Sequence, residues 1–388
     1  MRDQVKHFPV NWIDGMKINK NHFISQDMAF ENALSDVASL GLSPLRYGIL
    51  AASTAGEDTC NIRVSIDNQN TVRVSVLSCQ AITQAGIRIS IPSLGVSGQQ
   101  NSDGVPAASF QFPATPNEPA LWIVLLVHPY EKQAAGSPDL SENPPRYPYV
   151  LPSYTIQIIG ESQYRQFANH PYAIMVGKLL LNGTDIRVDD EYIPPCFTIK
   201  AHADLVSLYA ELDAFFGSLE LKCSQIVQKI YRKNQQNEIS ELVLFLCDRV
   251  LLHLAQAITS MRWFVIHESP VYLFYNIASL SRVMKNAIDM RIGSGKDEMM
   301  NYFSEWSELK QGELETLLTS LASIRYDNND INVNIHQVIK FVKICSGLFD
   351  TLSKLEFIGK KKESGIFVKE ELQGNQSDAN KPRRRFFG

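Results

Sequence analysis

The residues equipped for chemistry are few and scattered. Asp189-Asp190-Glu191 is the densest carboxylate cluster, and paired carboxylates hold cations or act as the acid and base of glycoside hydrolysis. No second acidic cluster completes a site, so a solvated turn after a strand over 186–188 is the simpler expectation. Gly293-Ser294-Gly295-Lys296-Asp297 has the look of a phosphate loop. The spacing GxxxxGK[ST], however, needs glycine at Met290 and a hydroxyl at Asp297, so a helix-connecting loop is expected instead. His267-Glu268 lacks the second histidine that a zinc peptidase helix carries four residues on. Six cysteines (Cys60, Cys79, Cys196, Cys223, Cys247 and Cys345) form no CxxC pair, which predicts reduced thiols. With no nucleophile elbow and no dinucleotide glycine fingerprint, the sequence predicts no catalytic centre, metal, cofactor or small-molecule substrate.

The elements that would carry these residues follow from proline placement and periodicity. Of 18 prolines in 388 residues, 16 precede Cys196, and between Cys196 and Asn380 only Pro270 occurs. Proline disrupts helix interiors, so a loop-rich first half is expected before a helical second half. A composition of 45% hydrophobic and 20% charged residues is that of a globular protein. The net charge of −4 argues against a chain devoted to nucleic acid. The N-terminus lacks the apolar core of a signal peptide, and the strongly apolar run 121–127 is far shorter than the ~20 residues of a membrane span. A cytoplasmic protein is expected.

Phe23, Phe30, Leu34 and Val37 fall at near-helical spacing and predict one amphipathic helix over 20–40. The period then becomes two. Ile62, Val64 and Ile66 alternate, Asn68-Gln69-Asn70 supplies a turn, and Val72, Val74 and Val76 alternate again, predicting a hairpin. Segments 86–91, 121–127, 154–159 and 172–181 add strands, and Asn182-Gly183 suits a hairpin turn. The Gly-, Pro- and Ser-rich stretches 97–119 and 133–152 are expected to be long loops.

From residue 204 the stripe Leu205, Leu208, Tyr209, Leu212, Phe215, Phe216, Leu219, Ile226, Val227 and Ile230 predicts a helix capped by Asp204. Further helices are expected over 238–266, from Ser269-Pro270 to Gly293, over 297–324 and over 334–355. The fold class is α+β: a β-sandwich with one early helix over 1–195, an antiparallel helical bundle over 196–358, and a flexible basic tail over 359–388. That tail has eight basic and four acidic side chains.

Three stretches resemble the TssK family, the baseplate subunits of bacterial type VI secretion systems. Trp12-Ile13-Asp14-Gly15-Met16, then His22-Phe23 and Gln26-Asp27, resemble the family's W-x-E-G-M and Q-H-F-x-x-Q-D, with Asp14 for glutamate and Asn21 for glutamine. Tyr192-Ile193-Pro194-Pro195 is similar to its F-I-P-P junction. Pro270 to Tyr275 and Tyr326-Asp327-Asn328-Asn329-Asp330-Ile331 resemble H-P-x-x-x-Y and Y-D-H-x-D-L, with asparagine at the usual histidine.

The resemblance implies a shoulder domain, like the anchoring domain of phage receptor-binding proteins, joined at Pro194-Pro195 to a helical neck. It further implies a homotrimer that meets wedge proteins TssF and TssG and, through a C-terminal head, the TssJ-TssL-TssM envelope complex. After Leu355 only 33 residues remain, too few for that head, so a reduced or absent head is expected. Arg383, Arg384, Arg385, Phe386 and Phe387 then form either a short docking peptide for a different envelope partner or a solubilising tail. Trp12, Met16 and Phe23 either staple the first helix to the sheet or take part in meeting the wedge, and His22, Gln26 and Asp27 are candidates for polar contacts to the wedge or for orienting the lead segment. Tyr209, Phe216 and Trp263 are candidates for a three-chain seam. The alternatives are a phage tail-tip or receptor-binding protein and a carbohydrate-active hydrolase using carboxylates near Asp189.

Overall fold

Backbone alternation in the first half becomes two antiparallel sheets. The computed structural model describes residues 7–52, 59–67, 71–91, 106–111, 118–182, 185–306, 310 and 312–359. After helix α1 (Lys20–Ser39) come β1 (Gly48–Ile49), β2 (Cys60–Ile66), β3 (Thr71–Ile82), β4 (Arg88–Ile91) and β5 (Ala107–Gln111). β3 is the centre of this five-stranded sheet, pairing with all four others. Its inward residues Val72, Val74 and Val76 are fully buried, as period-two alternation dictates. The second sheet has the order β7-β6-β8-β9, formed by β6 (Ala120–Ala135), β7 (Tyr149–Ile159), β8 (Ala173–Asn182) and β9 (Asp185–Val188). Helix α2 (Glu161–Ala168) follows β7 and packs Tyr164, Phe167 and Ala168 on the cluster of Trp122, Val124, Leu126, Ile159 and Met175.

The structure corrects both long-loop expectations in part. Stretch 97–119 contains β5, whose Ala-Ala-Ser-Phe-Gln has little apolar signal and forms because β3 offers it a free edge. Stretch 133–152 is a loop over 136–148 and strand only at its two ends, where Lys132 to Ala135 pair with Pro152 to Tyr149. Backbone pairing extends there beyond the buried part, so no apolar pattern marks it. Helix α2 was not expected, its eight residues being too short to show a period. The expected turn 68–70 and Gly183 lie outside the described residues.

Short β1 is fixed by the residues after the double proline. Ile49 N donates to Pro195 O at 2.7 Å and Phe197 N to Ile49 O at 2.8 Å. Gly48 adopts φ +121°, and a Cβ there would lie 2.0 Å from Pro195 O, so only glycine permits this approach.

The helical half comprises α3 (Ala203–Arg232), α4 (Glu238–Trp263), α5 (Val271–Asp289), α6 (Lys296–Trp306), α7 (Glu313–Ala322) and α8 (Ile335–Lys354). The single helix expected over 297–324 is two, because Gly312 takes φ +78° immediately before α7. Pro270 stands immediately before α5 as its N-cap, one position earlier in the helix than the sequence predicts, where its missing N–H is equally harmless. α3 packs against α4 and α8, α4 against α5, and α5 against α7. By length and composition α4 suffices to cross a membrane, yet Leu242, Leu246, Val250, Leu254 and Ile258 are buried in the bundle core. Lys222 pairs with Asp350, and Lys233 with Glu356 at 2.9 Å.

The described residues divide into two compact units, and the division is not a single cut. One unit takes in the chain through His202 together with Asp327–Asn332; the other begins at Ala203, runs to Tyr326 and resumes at Val333. The sequence placed one boundary at 195/196 and expected the bundle to be continuous. Instead the chain leaves the bundle between α7 and α8, contributes six residues to the sandwich unit, and returns. At the bundle end of this excursion Asn334 Nδ2 donates to Arg325 O at 2.8 Å.

Candidate functional site

The excursion is received by a buried polar cluster in the sandwich unit. Tyr192 Oη donates to Asn329 O at 2.6 Å, Tyr47 Oη to Asn329 Oδ1 at 2.6 Å, and Tyr164 Oη to Asp327 Oδ2 at 2.8 Å. Asn328 Nδ2 donates to Tyr47 O at 3.3 Å. The segment is shaped from within by Asn329 N donating to Asp327 Oδ1 at 2.9 Å. Lys178 Nζ on β8 binds Asp330 Oδ2 at 2.7 Å and lies 3.9 Å from Asp189. The same ammonium sits 5.6 Å from the Trp122 ring centroid, and Trp122 meets Tyr164 at 4.5 Å between rings.

Burial sets the electrostatics. It pushes the Tyr47 phenol up to about 12 and raises Tyr164 and Tyr192 as well, with the nearby carboxylates adding to the effect. The phenols therefore stay protonated and act as donors. Burial also raises the Asp330 carboxyl against the opposing pull of Lys178. Lys178 and Asp330 side chains are 12% and 8% exposed, too enclosed for a polysaccharide to reach. Asp189 is occupied at the turn, accepting from Glu191 N at 3.1 Å. Lys178 and Asp330 thus anchor the excursion to the sheet, whereas Asp190 and Glu191 stand exposed at the turn.

Two stretches that carried the family resemblance, at Tyr192 and at Asp327 to Ile331, are joined here by hydrogen bonds although 137 positions separate Tyr192 from Asn329. The first, at Trp12, lies apart on the surface of the same unit. Ile13 to Met16 form a turn closed by Met16 N donating to Ile13 O at 3.2 Å, with Gly15 at φ +76°, a conformation glycine adopts without strain. Asp14 occupies the turn. Asn19 caps α1, and His22 Nδ1 returns a bond by accepting from Asn19 N at 3.2 Å. Gln26 Oε1 accepts from Val10 N at 3.0 Å, orienting the lead segment; Asp27 is exposed.

The expected staple of α1 onto the sheet through Trp12 and Phe23 is not present. Their rings meet each other at 6.1 Å, and both are exposed, at 46% and 57%; they fasten the lead to the helix. What holds α1 to the unit is its polar side: Ser35 Oγ donates to Ala85 O, Tyr130 Oη to Asn32 Oδ1 at 3.3 Å, and Lys132 pairs with Glu31. Phe23, Phe30, Leu34 and Val37, on one helical face by their spacing, all point to solvent. The expected amphipathic helix exists with its apolar face outward.

In the bundle, Phe216 is fully buried beside Phe215, which meets Phe341 at 6.2 Å. It is core of its own chain, which removes it from the expected seam. Tyr209 is half-buried with its hydroxyl donating to Met261 O at 3.1 Å, whereas Trp263 is 70% exposed next to exposed Phe264. Lys296 of the glycine-rich loop binds Asp289 at 2.9 Å and Glu315 at 2.8 Å, so its ammonium serves the helix connection. Among the described residues no group of three or more His, Cys, Asp or Glu is placed to hold a metal. Arg383 to Phe387 lie outside the described residues.

No protein-family model matches the chain, and no curated protein matches it. Among solved structures, a crystal structure of TssK matches over 89% of this chain and 69% of its own, with 15% identity and a TM-score of 0.48. The fold is similar to that of TssK. A TssK from the T6SS of EAEC, in complex with a nanobody, matches over 84% of this chain and 99% of its own, at 14% identity and a TM-score of 0.44. A type VI secretion TssK-TssF-TssG baseplate subcomplex matches over 90% and 100%, at 13% identity and a TM-score of 0.43. These are likenesses of architecture, and no function follows from them alone.

Tyr47, Tyr164 and Lys178 of the polar cluster had no sequence signal. Each is a single residue in an unremarkable context, and only the excursion, which begins at Asp327, gives them a task.

Proposed function

We propose that this chain is a non-enzymatic baseplate subunit of a type VI secretion system, working by protein-protein assembly. The observation that carries this reading is the outward apolar face of α1, with Phe23, Phe30, Leu34 and Val37 exposed beside the Trp12 motif. A contiguous exposed apolar face on a folded protein marks an interaction surface. The motif resemblance supplies the partner class: wedge proteins of the TssF and TssG kind, which share a subcomplex with TssK in a solved structure. Trp12, Met16, Phe23 and the α1 face form the wedge contact, while Asp14, Gly15, His22 and Gln26 hold the motif in shape and Asp27 lies exposed at its rim.

In this proposal three copies assemble through the bundle, with Trp263 and Tyr209 at the seam. The C-terminal end, including Arg383 to Phe387, reaches an envelope component. The protein then works in the cytoplasm, at the inner face of the inner membrane. Three shoulders and three C-termini would join wedge and envelope by multivalency, without catalysis.

The test is co-purification of the tagged protein from its native cell, with identification of partners. Recovery of wedge proteins with the native sequence, and their loss with Phe30→Glu plus Leu34→Glu at unchanged circular dichroism, is the expected result. Recovery of phage tail proteins, or wedge recovery indifferent to the substitutions, would overturn the proposal. Mass measurement in solution tests the trimer separately.

A further inference from the structure

Cys60 and Cys79 are directly opposed partners in the β2–β3 pairing. Gln80 N donates to Thr59 O at 2.7 Å, a bond between the residues flanking the pair. Cys60 and Cys79 therefore occupy a non-hydrogen-bonded position, where Cα atoms stand about 4.5 Å apart and side chains approach most closely. That separation lies inside the range of about 4.4–6.8 Å that a disulfide accepts. Cys60 is partly exposed, whereas Cys79, Cys196, Cys223, Cys247 and Cys345 are all buried. We propose that Cys60 and Cys79 form a redox modification site, which a low-molecular-weight disulfide converts to a cross-strand disulfide.

The chemistry balances in two exchanges. The Cys60 thiolate attacks one sulfur of the reagent; the reagent's S–S bond breaks and one small thiolate leaves with the electron pair. The Cys79 thiolate then attacks Cys60 Sγ, and the second small thiolate leaves. Two protein thiols are oxidised by two electrons, the reagent is reduced to two thiols, and the two protein protons pass to those thiolates.

Burial dictates the order. Only Cys60 is accessible to the reagent, and Cys79 is accessible to Cys60. The hydrogen bond with Cys60, then burial, then the Cys60 charge hold the Cys79 thiol well above its ordinary value, against a lowering influence of Arg88. The product would fasten β2, which among the described residues pairs in its sheet only with β3, to the central strand.

Oxidised glutathione is the probe. The full chain is incubated with it under native conditions, quenched with N-ethylmaleimide and digested with trypsin, which separates the two cysteines at Arg63 and Arg73. The expected result is one disulfide-linked peptide pair through Cys60 and Cys79. Free thiols fall from the six present to four and are restored by dithiothreitol. Cys79→Ser should instead accumulate a glutathione adduct on Cys60, and Cys60→Ser should leave all remaining thiols free. A wild-type product that stops at the adduct, links Cys60 to Cys196, or keeps all six thiols free would overturn the proposal.

Discussion

Lys178 and Asp330, 152 positions apart, form a 2.7 Å ion pair inside the sandwich unit. One lies on a strand of the sheet, and the other arrives on a six-residue excursion from between two bundle helices. Breaking a buried pair leaves an uncompensated charge, at about 3–5 kcal/mol. Lys178→Met should therefore destabilise the protein by roughly that amount, and Asp330→Asn by less, because Asp189 stays 3.9 Å from the ammonium. The double variant should recover part of the loss. Urea denaturation followed by tryptophan fluorescence checks this, since Trp122 neighbours the pair; additive losses would refute the coupling.

Alkaline stability should depend on the buried phenols. Tyr47 titrates near 12 in the folded protein and near 10 when exposed. Its contribution is therefore fully present below pH 10 and lost as pH rises from 10 through 12. Two units correspond to about 3 kcal/mol, and Tyr164 and Tyr192 shift in the same direction. Tyr47→Phe should reduce the steepness of this loss in denaturation midpoints measured across that window.

Lys296→Met should cost about 1 kcal/mol, since it removes two charge-assisted bonds at the α5–α6 connection. Lys285 and Lys296 hold the Asp289 carboxyl below its ordinary 3.8. Its contribution is present above pH 3.8 and lost as pH falls through the lower folded value, and the variant should shrink that acid loss. Magnesium ATP should leave the thermal midpoint of the native protein unchanged; a rise would restore the phosphate-loop reading.

Substitutions on the α1 face should separate stability from association. Phe30 and Leu34 are 59% and 69% exposed, so Phe30→Glu and Leu34→Glu should each move stability by no more than about 0.5 kcal/mol. Thermal melting of the isolated protein checks this; a large loss would mean that the face is packed within its own chain.

Gly48→Ala should be among the most damaging single substitutions. The added methyl would sit 2.0 Å from Pro195 O at a φ of +121°, and a loss of more than about 4 kcal/mol is expected from such a clash. Soluble yield and melting report it; a well-folded variant would show that the β1 contact adjusts.

The α+β class and the bundle helices were legible because period and proline placement act locally: Val72, Val74 and Val76 alternate whatever they pair with, and Pro270 can only start a helix. β5 and the outer ends of β6 and β7 were not, because a neighbouring strand rather than their own apolar pattern makes them strands. The helix over 297–324 hid a break, since Gly312 signals one only through its φ. At the candidate site, the resemblance pointed to Tyr192 and to Asp327 through Ile331, but nothing in either segment says that they touch. The orientation of α1 was equally hidden. Periodicity shows that Phe23, Phe30, Leu34 and Val37 share a face, and only the bonds of Ser35 and Asn32 decide that this face looks outward.

The excursion has a consequence for the order of synthesis. Domains fold as they emerge from the ribosome, at about 5–20 residues per second. The sandwich unit is complete through His202 but must wait for Asp327–Asn332, some 125 residues and roughly 6 to 25 s later. Until then Tyr47, Tyr164, Tyr192 and Lys178 lack the partners that the excursion supplies. A nascent chain would thus hold a nearly closed sandwich in waiting, its last piece delivered only after most of the bundle has been made.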